Sequence, residues 1–100
     1  EDLQFSERGH AWREMLDGRF DRQGDMPVNV DGGLKSFGHP VGASGLRMLY
    51  EAWLQLRGKA GDERQIETVN AERNLALTHN LGGYPGEMVS FIAIVGTELD

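Results

Sequence analysis

The sequence predicts an α/β fold in which one amphipathic helix, about residues 43–57, packs with two apolar strands, about residues 74–80 and 88–95. Leu46, Leu49, Tyr50, Trp53 and Leu54 recur at i, i+3, i+4, i+7 and i+8, the spacing of a single helical face. The run MVSFIAIVG is almost continuously apolar and rich in β-formers, as expected of a strand covered on both faces. Between it and the alternating LALTHN lies LGGYPGE, whose Gly82, Gly83, Pro85 and Gly86 are turn residues. The two strands should therefore be antiparallel neighbours.

Taken in chain order, Ser6 is a candidate N-cap, Ala11, Trp12, Met15 and Leu16 gather on one side, and Gly18 offers a stop, which predicts a short helix over residues 7–17. Residues 18–41 carry glycine, two prolines and scattered charge without a period of 2 or 3.6, and read as a long loop or linker. The helix over residues 43–57 ends at Gly58. KAGDERQIETVNAERN is polar and reads as a surface excursion with one short turn or strand around residues 66–69. A strand as apolar as residues 88–95 wants neighbours on both edges and cover on both faces. Two strands and two helices offer too little of either, so the 100 residues are expected to be part of a larger sheet.

Composition narrows the functions. Hydrophobic residues make up 39% and charged residues 26%, an ordinary mixture for a water-soluble domain, and no apolar run approaches the ~20 residues that span a bilayer. The first residues, EDLQFSERGHAW, have neither the basic nor the apolar region of a targeting segment and lack an initial Met, which suggests a fragment or a processed chain; a cytoplasmic location is expected, with which the lack of cysteine is compatible. A formal charge of -6 works against nucleic acid or an anionic membrane as partner. The absence of cysteine removes disulfides, thiolate metal sites and a cysteine nucleophile from these residues.

The stretch NVDGGLKSFGHPVGASGLR, residues 29–47, carries the chemistry. Gly32, Gly33, Gly38, Gly42 and Gly45 lead into the N-terminus of the best helix, where free N–H groups and the positive end of the helix dipole favour an oxygen gaining negative charge. His39 stands a few residues ahead of that end, which favours the neutral ring. A neutral imidazole takes a proton from a nucleophile or donates one hydrogen bond to an oxyanion. Pro40 fixes φ beside it and removes one donor.

Asn29, Gly32, Gly33, Gly38, His39, Pro40, Gly42, Ala43, Ser44, Gly45 and Arg47 together resemble the N-x-x-G-G…G-H-P-x-G-A-S-G-x-R signature of the thiolase superfamily. The likeness covers essentially the whole chain. EDLQFSERG is similar to the segment after that family's Asn/His motif loop, and LALTHNLGGYPGEMVSFIAIVG to its last two strands. The resemblance implies the C-terminal part of a thiolase-like domain, from an enzyme that makes or breaks a carbon–carbon bond next to a coenzyme A thioester. It implies that His39 helps activate a nucleophilic cysteine and contributes to one oxyanion hole, that Gly82 supplies a backbone N–H to a second, and that Gly38 and Ser44 contact the coenzyme A thioester. This thioester is substrate, and no permanently bound cofactor or metal is expected. The expected partners are the N-terminal half of the fold and further copies in a homodimer or tetramer.

Departures from the family pattern are as informative. The nucleophilic cysteine has no counterpart here, and the Asn/His motif would precede Glu1. Asn80 stands where biosynthetic and degradative thiolases carry a second, acid/base cysteine, and an amide cannot do that work. THNLGG is similar instead to the sterol-carrier-protein-type branch and its archaeal and actinobacterial relatives, in which a cysteine of the upstream motif takes over. Some members of that branch are retro-aldolases of steroid side-chain thioesters that use tyrosines and a DUF35-type OB-fold partner, and Tyr84 is placed to be such a tyrosine. A non-catalytic module that binds acyl-CoA or lipid is the remaining alternative.

Other candidates carry less. His79, beside Asn80, could line a site or be satisfied locally, and His10 belongs to a polar helix face. Trp53 and Tyr50 are expected to pack in the core. The three histidines share no ligand spacing, GASG lacks the strand–turn–helix of a nucleophile elbow, and GGLKSFG does not follow an apolar strand as a dinucleotide-binding loop does.

Overall fold

The computed structural model describes residues 1–67, 69, 72 and 74–98. Five elements follow in order: α1 (Ala11–Leu16), α2 (Gly33–Phe37), α3 (Ser44–Leu56), β1 (Leu75–Tyr84) and β2 (Glu87–Gly96). β1 and β2 form an antiparallel hairpin, with Thr78 opposite Ala93 and Asn80 opposite Phe91, and α3 lies against it.

α3 has nearly the predicted bounds because its sequence carries both the periodicity and a stop. At its end Lys59 N–H bonds the Leu54 carbonyl at 2.8 Å and Gly58 N–H bonds that of Gln55 at 3.1 Å, the paired bonds of a Schellman cap. α1 ends the same way, through Arg19 N–H to Glu14 and Gly18 N–H to Met15. It is shorter than the expected 7–17, however, and His10 rather than Ser6 stands at its N-cap. The Ser6 hydroxyl is committed to the Glu14 carboxylate across the helix instead.

Within the expected loop of residues 18–41, α2 is an addition: one five-residue helical turn, too short to show a period in the sequence. Both strands run longer than expected. Gly82 and Gly83 belong to β1, and the turn is Pro85–Gly86 alone, with Pro85 presetting φ and Gly86 at φ +90°. Around residues 66–69 the Val69 amide reaches the Ile66 carbonyl at 3.4 Å, which makes a turn there; Thr68 lies outside the described residues.

Burial departs from expectation. Among the described residues Ala52 and Ala60 are the buried hydrophobic ones, and Gln55 is the buried centre of a polar lattice. Its side chain donates to the Arg64 carbonyl and accepts from the Ile66 amide, both at 2.9 Å, and Arg64 pairs with Glu51 at 3.1 Å. The face of α3 that carries Leu46, Tyr50 and Trp53 is exposed, Trp53 at 47%, with the Tyr50 and Trp53 rings stacked at 5.9 Å. The expectation that these aromatics fill a core is therefore corrected: α3 turns its small and polar residues inward. β2 is likewise uncovered rather than buried on both faces, with Met88, Val89, Phe91, Ile92 and Ile94 exposed. Each such side chain, about half exposed, forgoes on the order of 1 kcal/mol of burial. Exposed apolar side chains on both faces of a hairpin point to surfaces that pack against something else.

Candidate active site at the N-terminus of α3

Asp31 begins the site. Its carboxylate accepts the Gly33 amide at 2.8 Å, starting α2, and pairs with the Arg47 guanidinium on α3. The Arg47 guanidinium in turn lies 4.7 Å from the Phe37 ring centroid, at the end of α2. One cation thus ties both ends of α2 to α3. The Asp31 side chain is only 5% exposed. Burial pushes its carboxyl up, but the bonds from Arg47 and Gly33 outweigh this and hold it below its ordinary value.

After Phe37 the chain must turn sharply toward α3. Gly38 makes that turn at φ +80° and ψ 178°, a conformation essentially reserved for glycine. His39 follows, and its backbone position leaves the ring exposed. The ring Nδ1 stands 2.7 Å from Ser44 Oγ, and the Ser44 hydroxyl also lies 3.1 Å from the Pro40 carbonyl. That carbonyl additionally accepts the Ala43 and Ser44 amides at 2.7 and 3.0 Å, closing the HPVGAS turn onto the helix. Ser44 is 3% exposed. Its hydroxyl therefore faces the protein rather than open solvent.

β1 meets this turn at Gly45. A Cβ there would lie 3.4 Å from the Asn80 amide atoms, so the Asn80 side chain sits close over the first turn of α3, with room for a methyl group and nothing larger. Gly82 lies two residues farther along β1, opposite Val89, about 7 Å from Asn80 by strand rise. Tyr84 ends β1 opposite Glu87 and is 77% exposed. The structure thus joins His39, Ser44 and Asn80 through Gly38 and Gly45, and sets Gly82 and Tyr84 progressively farther out along one strand.

The other candidates lie elsewhere. His79 Nε2 is 2.8 Å from the Ser90 hydroxyl across the hairpin, an exposed local pairing. His10 stands 3.3 Å from Glu7. Among the described residues no three His, Asp or Glu side chains gather as metal ligands, and no helix is long and apolar enough to cross a membrane. A cleft lined by Leu49, Trp53, Leu56, Val95 and Thr97 opens at the opposite end of α3 from His39. Sequence reasoning missed the Asp31–Arg47 clamp. Its only sequence signal is an acidic and a basic residue flanking the glycine-rich turn.

Residues 1–95 match the family model described as thiolase C-terminal domain-like. The chain is 49% identical over 86 residues to an acetyl-CoA acetyltransferase of Methanothermobacter thermautotrophicus, covering 86% of this chain and 21% of that protein. It is 37% identical over 89 residues to an acetyl-CoA acetyltransferase of Methanocaldococcus jannaschii, covering 86% of this chain and 22% of that protein. Human sterol carrier protein 2 is 48% identical over 59 residues, 59% of this chain and 10% of that protein. The chain therefore spans about a fifth of the length of its archaeal relatives. With the glycine-rich turn, the histidine ahead of α3 and the terminal hairpin all in place, the chain belongs to the thiolase C-terminal domain-like family.

Proposed function

We propose that these residues form the C-terminal part of a thiolase-type acyltransferase that acts on a coenzyme A thioester. The carrying observation is the fixed, exposed imidazole of His39, held at 2.7 Å by Ser44 at the head of α3. In this reading a cysteine from sequence outside these 100 residues is the nucleophile. His39 takes its thiol proton, the thiolate adds to the thioester carbonyl, and the negative charge that develops on oxygen is met by backbone N–H groups, Gly82 among them. The carbon–sulfur bond to coenzyme A then breaks, and the proton held by His39 passes to the departing thiolate. Preorganised donors of this kind are worth roughly 3 kcal/mol each. No resident cofactor or metal takes part.

The uncovered faces of α3 and the hairpin support a longer protein, with the N-terminal half of the fold and further copies of the chain supplying the cover. In the complete protein, His39→Ala is expected to lower turnover by about 10²-fold or more while leaving folding intact. Near-normal turnover would mean that the histidine is structural, whereas a complete unsubstituted protein that binds acyl-CoA or lipid without turning it over would be the non-catalytic module.

One observation favours a second reading. Asn80, packed on Gly45, has an amide that does not titrate, so the second acid/base group comes from elsewhere. Tyr84, exposed at the end of β1, fits a retro-aldolase of steroid side-chain thioesters working with a DUF35-type OB-fold partner. Tyr84→Phe then abolishes cleavage, whereas an acyltransferase tolerates it.

A further inference from the structure

We propose that Ser44 is the positioning residue of His39: its buried hydroxyl selects the ring tautomer that leaves Nε2 unprotonated and facing outward as the base. This rests on the acyl-transfer reading of His39 and assigns the serine a task within the fold rather than at the substrate. A serine hydroxyl has one proton, and the geometry gives it two partners, the Pro40 carbonyl at 3.1 Å and His39 Nδ1 at 2.7 Å. The carbonyl only accepts. Both contacts are hydrogen bonds at once in a single arrangement: the hydroxyl donates to Pro40, and Nδ1–H donates to Ser44 Oγ. The lone pair of the neutral ring then resides on Nε2.

The same arrangement serves both protonation states. When Nε2 accepts a proton, Nδ1 is still a donor and Ser44 Oγ still an acceptor, so no hydrogen bond at Nδ1 has to reverse during the transfer. A hydroxyl aimed at Nδ1 would have to rotate away from the imidazolium. Burial makes the serine a fixed reference, because at 3% exposure water does not replace it. Its hydroxyl is also tied to the turn that carries the histidine, through a carbonyl that already holds the Ala43 and Ser44 amides.

The test uses the complete protein that contains these residues, with ¹⁵N-labelled histidine, and the His39 signals are identified by their loss in His39→Ala. The neutral ring of the unsubstituted protein should show Nδ1 as the protonated nitrogen. A ring protonated at Nε2 overturns the proposal. Ser44→Ala should shift the tautomer population toward Nε2–H and lower kcat on the order of 10-fold with KM for the acyl-CoA unchanged. Ser44→Thr, which keeps the hydroxyl, should restore both the tautomer and most of kcat. A folded Ser44→Ala protein with unchanged tautomer and kcat overturns the proposal, while the spectrum of the unsubstituted protein decides it even if that variant fails to fold. Failure of the underlying reading has a different signature: His39→Ala keeps its turnover whatever the tautomer.

Discussion

The glycine-rich turn and the hairpin differ in what holds them. From Asp31 to Arg47 the chain is bound to itself by short-range polar contacts: Asp31 to Gly33 and Arg47, Arg47 over Phe37, His39 to Ser44, and Ser44 to Pro40. From Leu75 to Gly96 the backbone ladder is regular, yet the side chains on it are largely uncovered, with Ile94 at 66% exposure and Phe91 at 59%. The comparison separates two jobs. The geometry around His39 is set locally, by residues within this stretch, whereas the stability of the sheet depends on surface that these residues do not supply.

The sharpest way to break the comparison is to put charge on the hairpin. Ile94→Asp should destabilise the complete protein by about 3 kcal/mol or more, because burying an unpaired carboxylate is costly once the face is covered. In the 100-residue chain alone the same change should cost under about 0.5 kcal/mol, since the side chain is already in water. Urea unfolding of both proteins checks this, and equal costs would mean that the face stays exposed in the complete protein. The short chain by itself should also bind a hydrophobic dye such as ANS strongly.

Next comes the clamp. Arg47→Ala leaves Asp31 buried without its partner and should cost about 3 kcal/mol, with the loss concentrated in the turn. pH reports on the same pair. Asp31 sits below its ordinary value of 3.8 in the folded state, so its contribution is fully present above that value and is lost as pH falls through the lowered folded value. Urea midpoints should therefore drop between about pH 5 and pH 2, and Asp31→Asn should flatten that limb. A limb unchanged by the substitution would place the acid sensitivity elsewhere.

The smallest effect is expected at the junction of the two regions. Gly45→Ala improves helix propensity by about 1 kcal/mol and sets a methyl group 3.4 Å from the Asn80 amide, an ordinary contact. Stability should stay level or rise slightly. A larger residue such as Leu should displace Asn80 and part β1 from α3, visible as a local rise in amide exchange around residues 76–80.

Much of this was legible in the sequence, for reasons that also explain the gaps. α3 carries a periodic apolar face and a glycine stop, so Ser44–Leu56 could be read within a residue of each end. The same periodicity announces that an apolar face exists without saying what covers it, and Leu46, Tyr50 and Trp53 turned out exposed while Ser44, Ala52 and Gln55 are buried. Gly82 and Gly83 look like turn residues, yet the cross-strand ladder carries them within β1. His39 was found because a histidine between glycine, proline and a helix start is chemically conspicuous. Asp31 was not, since its partner lies 16 residues away and no local pattern joins them. Ser44 stood in the sequence as a contact for the thioester. Only the coordinates place its hydroxyl against the ring it is now proposed to orient.

The most direct measurement is the rate at which the complete protein forms a covalent acyl-enzyme from acetyl-CoA, followed by rapid quench and intact mass, with His39 present and with His39→Ala. Acylation slowed about 10²-fold or more, with fold and substrate affinity retained, is the expected result. An acyl-enzyme that forms equally fast without the imidazole would contradict it.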